Sequence, residues 1–230
     1  MKSYFISGTD TDAGKTVVAK ALLDKLKQLG QQTLAMKPVS AGCDWVPDAT
    51  DGVAEGQWQN SDALILRQAM TMNCDYALTN PYAFAPPIAP HIAAAEAGRP
   101  ITLAQLLTGF EQLAKMQPDA LVIEGAGGWL LPLGDDLYMP DFVKRINAEV
   151  ILVIGLKLGC LNHALLSARA ITAAGIKLAG WVAVDTQPQA MDYRGENVAA
   201  LRQHLNAPCL AELPYLINWQ QQDLSELISL

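Results

Sequence analysis

The residues best placed to do chemistry begin at position 8. Gly8-Thr9-Asp10-Thr11-Asp12-Ala13-Gly14-Lys15-Thr16 joins a short apolar run, Ser3 to Ser7, to a segment with apolar residues at helical spacing, Lys15 to Leu29. A strand, a glycine-rich turn and a helix, in that order, form the context a phosphate-binding loop requires. Gly8 and Gly14 allow close backbone approach that a side chain would block. The N–H groups of Asp12, Ala13, Gly14 and the helix start through Val17 then face an anion. Lys15 can reach the β- and γ-phosphates, and the Thr16 hydroxyl can ligate Mg²⁺. The common pattern places four residues between its glycines, whereas this one has five. A plain glycine turn before a lysine-led helix is the alternative. The flanking elements and the Gly-Lys-Thr ending favour a nucleoside triphosphatase or kinase-like enzyme.

Further groups stand at strand tips and helix starts. Lys37 ends a second apolar run, Thr33 to Lys37, and enters Pro38-Val39-Ser40-Ala41-Gly42. In a parallel sheet this puts its ammonium at the same edge as the glycine loop, as a surface charge or as a catalytic cation in a shaped loop. Asn60-Ser61-Asp62 reads as a helix start, where Asp62 taken alone is an ordinary capping carboxylate. Ala120 to Glu124 is an apolar run ending in a carboxylate, followed by Gly125-Ala126-Gly127-Gly128, a loop on which a ligand can lie close. Beside a phosphate loop, Asp62 and Glu124 become a pair for one Mg²⁺, directly or through water. Gly159-Cys160-Leu161-Asn162 opens another helix, whose free N–H groups could hold a carboxylate or simply form a turn.

Positioning these groups takes a sheet. The apolar runs Val150 to Gly155, Leu178 to Asp185 and Cys209 to Leu213 complete a set of six strand candidates. Helical patterns over Thr102 to Met116, Leu161 to Ala174 and Glu196 to His204 separate them. Continuous apolar strands alternating with helices predict an α/β fold, a doubly wound, mainly parallel sheet covered on both faces. Ligands then bind at the strand edge that carries the loops. No repeat or linker divides the 230 residues, so one domain over 1–230 is expected. Cys43 to Gln59, with Asp44, Asp48, Asp51 and Glu55, reads as a solvated loop.

Composition bounds the function. A hydrophobic fraction of 51% with 17% charged residues excludes a disordered chain. The net charge of −7, from 16 basic and 23 acidic residues, speaks against a nucleic-acid partner. No apolar run approaches the roughly 18 residues of a spanning helix, which speaks against a membrane partner. Cys43, Cys74, Cys160 and Cys209 lie far apart, as do His91, His163 and His204; reduced thiols and a cytoplasmic location are expected, without a disulfide or zinc site.

Taken together, the motifs resemble those of the dethiobiotin synthetase family. They are Gly8 to Thr16, Lys37-Pro38-Val39, Asn60-Ser61-Asp62-Ala63, Asn80-Pro81-Tyr82, Pro90-His91, Glu124-Gly125-Ala126-Gly127-Gly128-Trp129, Lys157 to Ala164 and Ala179-Gly180-Trp181. The five-residue glycine spacing is that family's own, and the resemblance runs from about Lys2 to Leu216. It implies a P-loop fold and a Mg²⁺- and ATP-dependent carboxylation of 7,8-diaminononanoate with CO₂ or bicarbonate, giving dethiobiotin, ADP and phosphate. Lys15 and Lys37 would stabilise the charge of the phosphoryl and carbamate groups. Thr11 would hold the reacting end of the substrate, and Thr16, Asp62 and Glu124 the metal. Gly125, Ala126 and Gly127 would adjoin the nucleotide, and Pro214, Tyr215 and Leu216 would lie along its base. A homodimer with interface sites is implied, in which Gly159, Cys160, Leu161 and Asn162 hold the substrate's distal carboxylate from the partner chain.

Two positions depart from the family pattern. The hydroxyl residue expected just before Gly42 is Ala41, with Ser40 one step earlier, so substrate contact here is assigned to the loop backbone with Ser40 as a candidate. The pair expected to read the purine is Val184-Asp185, and valine offers no side-chain hydrogen bond. A paralogue acting on a related diamine or with a broader nucleotide range stays open, as does a non-catalytic nucleotide-binding module. Partitioning-type ATPases carry an extra lysine early in the glycine loop, which Thr9-Asp10-Thr11 lacks. Amidating synthetases need a fused glutaminase, for which 230 residues leave no space.

Overall fold

The computed structural model describes residues 1–47 and 56–230. In chain order, β1 (Lys2–Gly8), α1 (Lys15–Gln28) and β2 (Thr33–Met36) are followed by four short strands and helices: β3 (Val39–Ser40), β4 (Asp44–Pro47), β5 (Gly56–Gln59) and α2 (Ser61–Ala69). Next come α3 (Tyr76–Thr79), β6 (Tyr82–Ala83), α4 (Pro90–Glu96), α5 (Leu103–Lys115) and β7 (Ala120–Gly128). The last part contains α6 (Met139–Arg145), β8 (Glu149–Gly155), α7 (Cys160–Ala173), β9 (Leu178–Val184), α8 (Arg194–His204) and β10 (Cys209–Leu213).

Six strands form one parallel sheet in the order β10-β9-β8-β1-β7-β2, flanked by helices. All six are the apolar runs of the sequence. β1, β7 and β8 stand at its centre, and Phe5, Ile6, Val122, Ile123, Leu152 and Val153 are buried there, which accounts for runs that do not alternate. From β1 the chain winds first to one side, through β2 and β7, and then to the other, through β8, β9 and β10. Its winding therefore reverses beside β1, and the crevice outside the strand ends at such a point is where an open α/β sheet binds ligands.

Two regions depart from expectation. β7 runs on through Gly125–Gly128 and does not stop at Glu124, because Gly128 pairs with Gly8. Cys43 to Gln59 is not simply a solvated loop. β4 and β5 pair antiparallel, with Trp45 opposite Trp58 and their rings edge-to-face at 5.3 Å. A cross-strand aromatic pair of this kind stabilises a ribbon whose composition otherwise looks like loop. Asp44 lies in β4, while Asp48, Asp51 and Glu55 fall outside the described residues. The four cysteines are free thiols. Among the described residues, no helix is long and apolar enough to cross a membrane.

Candidate active site

A cleft of about 770 Å³ opens at the carboxyl edge of the sheet. The glycine loop forms its floor. Thr9 N donates to Val153 O of β8 at 2.9 Å, which ties the loop across the reversal point. Gly14 caps α1 with φ +94°, and no side chain among the described residues caps the first N–H groups of the helix. A helix start left open in this way is built for an anion. Thr11, Asp12, Gly14, Lys15, Thr16 and Val17 line the cleft, whereas Ala13 is buried beside Gly155.

Gly14 is required twice over. A Cβ there would adopt a left-handed backbone and would stand 2.8 Å from Val184 Cγ1. Gly14→Ala is therefore expected to weaken nucleotide binding by at least about tenfold, from roughly 1–2 kcal/mol of backbone strain plus the clash. Titration with a non-hydrolysable ATP analogue checks this; wild-type affinity would mean that the loop tolerates the side chain.

The charged centre gathers residues from four elements. Lys37, just past β2, is 4% exposed. Its ammonium donates to Glu124 Oε1 at 2.6 Å, to Asp62 Oδ2 at 3.0 Å and to Gly125 O at 3.3 Å. Thr16 Oγ1, in the first turn of α1, donates to the same Glu124 oxygen at 3.0 Å. Glu124 Oε2 is buried and has no hydrogen-bond partner among the described residues. Lys15 donates to Asp10 O at 2.9 Å.

Asp62 reaches this centre because it does not cap its helix. The cap is Asn60, whose side-chain oxygen accepts from Asp62 N at 3.1 Å and Ala63 N at 3.3 Å. The Asp62 carboxylate is thus free to face Lys37.

The electrostatics follow from crowding. Burial works to lower the pKa of Lys37, but Glu124 and Asp62 outweigh it and hold the ammonium above its ordinary range. Burial pushes the Glu124 carboxyl up, against the pull of Lys37. Burial and the neighbouring Lys37 both lower Lys15. For Asp62, burial raises the pKa but Lys37 overcomes it and holds the carboxyl below its ordinary range.

Several expected contacts are placed differently. Ser40 is 2% exposed and spends its hydroxyl on Asn80 Oδ1 at 2.8 Å, so Ala41 and not Ser40 faces the cleft. Asn80 in turn donates to Lys37 O at 2.7 Å and so braces the lysine loop from behind. Gly125 lies under the site and offers only its carbonyl to Lys37, while Ala126 and Gly127 line the cleft. Asp185 lines it too, but Arg194 Nε holds its two carboxylate oxygens at 3.0 and 2.9 Å. A carboxylate committed in this way is poorly placed to read a base. Val184, Pro214, Tyr215 and Leu216 line the same end.

Gly159, Cys160, Leu161 and Asn162 do not line the cleft within one chain. Gly159 caps α7 with φ +95° and without a side-chain cap. The Cys160 side chain is buried and its N–H already donates to Lys157 O at 2.9 Å, so of this segment Cys160 is not a free donor. Lys157 binds Asp10 Oδ2 at 2.7 Å, linking this helix start to the glycine loop.

The cleft has walls that sequence reasoning did not assign. Pro87, Ile88 and Ala89, leading into α4, form one, and Leu131, Thr186 and Trp219 complete the rest. The proline cluster at 86–90 signals a shaped loop; Trp219 carries no local signal.

A family model described as an AAA domain matches residues 2–223. The chain is 50% identical over 225 residues to the ATP-dependent dethiobiotin synthetase BioD of Idiomarina loihiensis, covering 98% of each. It is 46% identical over 224 residues to the enzyme of that name from Aeromonas salmonicida, covering 97% of this chain and 95% of the relative. Among solved structures, the signal recognition particle receptor FtsY from Elizabethkingia anophelis in complex with GDP superposes with a TM-score of 0.51 at 14% identity. That likeness covers 92% of this chain and 56% of the longer one. At such identity it speaks for the fold alone, and with the family match it fits a P-loop NTPase fold.

Proposed function

The chain belongs to the dethiobiotin synthetase family, and from that premise we propose that its cleft converts 7,8-diaminononanoate, CO₂ and ATP into dethiobiotin, ADP and phosphate. The activity is that of an ATP-dependent ligase of biotin biosynthesis. The observation that carries the proposal is the convergence of Lys15, Lys37, Thr16, Asp62 and Glu124 on one end of a single cleft.

An amine of the substrate captures CO₂ as a carbamate, whose oxygen attacks the γ-phosphorus of ATP. The bond to the β–γ bridging oxygen breaks, ADP leaves, and a carbamic-phosphoric anhydride remains. The second amine attacks the anhydride carbon, closes the ureido ring and expels phosphate. Every stage moves negative charge past the same point, so preorganised cations there lower the barrier. Lys15 and Lys37 supply two such cations. The open N–H groups of α1 hold the phosphates, and Thr11 stands beside the reacting end of the substrate.

The residues fit Mg²⁺. A hydroxyl and two carboxylates are hard oxygen donors, and the unpartnered Glu124 Oε2 is one whose burial calls for a cation. Thr16, Asp62 and Glu124 would hold the ion, which when bound neutralises phosphate charge. The helix start at Gly159 serves a site of the partner subunit in a homodimer, through the N–H groups of Leu161 and Asn162.

One assay tests the reading. Protein, Mg²⁺, bicarbonate and 7,8-diaminononanoate are incubated with ATP, GTP or CTP in turn, and dethiobiotin is followed by mass. Product with ATP is expected. Folded, nucleotide-binding protein that yields none would sink the proposal. With Asp185 held by Arg194 and Val184 apolar, GTP and CTP are expected to support turnover within about tenfold of ATP, the span of one missing polar contact.

A further inference from the structure

The C-terminal segment beyond β10 is fastened to α1 by a buried ion pair that the reaction does not use. Lys20 and Asp24 lie one turn apart on α1, with their charged groups 2.6 Å apart. Their side chains are only 7% and 12% exposed, unlike an ordinary surface pair. Each charge takes a further partner from the backbone of the tail. Lys20 Nζ donates to Gln222 O at 2.5 Å, and Asp24 Oδ2 accepts from Leu224 N at 3.0 Å. Leu224 and Ile228 are buried, and Ser229 N returns to Leu210 O of β10 at 3.0 Å.

This anchorage is joined to the wall of the cleft by hydrogen bonds. Trp219, which lines it, begins a single helical turn over Trp219–Gln221. That turn is closed by Gln222 N donating to Trp219 O at 3.1 Å. The carbonyl of Trp219 is therefore one hydrogen bond from Gln222, and Gln222 is one hydrogen bond from Lys20. Phosphates at the N-terminus of α1 place the nucleoside toward Val184, Tyr215 and Trp219. The same helix thus holds the phosphate floor at its start and the nucleoside wall near its middle.

We propose that Lys20 and Asp24 are positioning residues for the nucleoside end of the cleft, setting nucleotide affinity by latching the tail that carries Trp219 to the P-loop helix. The inference rests on the reading of the cleft as the ATP site. Neither side chain touches the charged centre, so the latch acts on binding and not on the chemical step.

The test separates KM from kcat. Lys20→Met keeps length and loses the charge. It is expected to raise the KM for ATP and the Kd of a non-hydrolysable analogue about tenfold, the equivalent of one charge-assisted hydrogen bond, with kcat within about twofold. Trp219→Ala is expected to do the same, and the double variant to be no worse than the single ones, because both remove one wall. Folded Lys20→Met protein with wild-type Kd, or a double variant whose losses multiply, would overturn the latch. Hydrogen exchange on the wild-type chain gives a readout that needs no variant. By linkage, the analogue must slow exchange at Gln222 and Leu224 if their docking sets affinity, and unchanged exchange would refute it. A wild-type chain that fails to bind the analogue would overturn the ATP reading itself, a result distinct from any failure of the latch.

Discussion

Lys37→Ala is expected to lower turnover by about a thousandfold while nucleotide still binds within a few fold. The argument rests on where the ammonium sits and what keeps it charged. Lys37 is buried in the wall of the cleft, yet two carboxylates lie within 3.0 Å of its ammonium and hold its proton on. It is a cation throughout the working pH range and cannot serve as a general base. Its contribution must be to stabilise charge that develops as phosphoryl transfers, and such a contribution appears in kcat. The phosphates retain Lys15 and the N–H groups of α1, so binding survives. The substitution leaves Glu124 near Asp62 without its counter-ion. Burial already raises the Glu124 pKa, and without Lys37 the carboxyl can take up a proton and keep the fold intact. Steady-state kinetics beside analogue titration and a thermal melt check all three statements. Near-normal kcat in folded protein would remove Lys37 from its role.

Glu124→Gln should have the second largest effect, a loss of about a hundredfold in turnover with a raised Mg²⁺ requirement. Glutamine keeps the shape, and its carbonyl can still accept from Lys37 and Thr16 in place of Oε1. What disappears is the charge, together with the unpartnered Oε2. The amide nitrogen that replaces it is a donor and repels a metal ion. Lys37 keeps Asp62 at 3.0 Å, so its position should hold while the proposed Mg²⁺ site is left with one carboxylate fewer. Turnover measured against Mg²⁺ concentration separates this from a general loss of activity. A variant with the wild-type Mg²⁺ dependence would take Glu124 out of the metal site.

The parts of the fold legible in the sequence share one physical cause. β1, β7, β8 and β9 are buried on both faces, so their residues carry a signal that needs no knowledge of the partner strand. Gly8, Gly14, Lys15 and Thr16 were legible because a phosphate loop is a local device, whole within nine residues. What stayed hidden depends on partners in other elements of the fold. Ser40 is taken out of the cleft by Asn80, forty positions away. Asp185 is held by Arg194, although neither residue advertises the other. Lys20 and Asp24 look like a routine i,i+4 helix pair until the tail folds over them. β4 and β5 are four residues each, too short and too polar for periodicity to register, and only the Trp45–Trp58 contact explains them.

The contact between Gly14 and Val184 bears on redesign. Position 184 is where an amide would be placed to sharpen recognition of a purine, and the gain would be sought in selectivity alone. Its side chain also forms the ground on which the glycine loop rests, with less than 3 Å to spare for any atom added at residue 14. A larger or polar group at 184 would shift that ground, and the phosphates with it. Base preference and phosphate grip are not independent dials in this protein. An engineer who turns one should plan to retune the other, with paired substitutions across the two positions in place of a series of single ones.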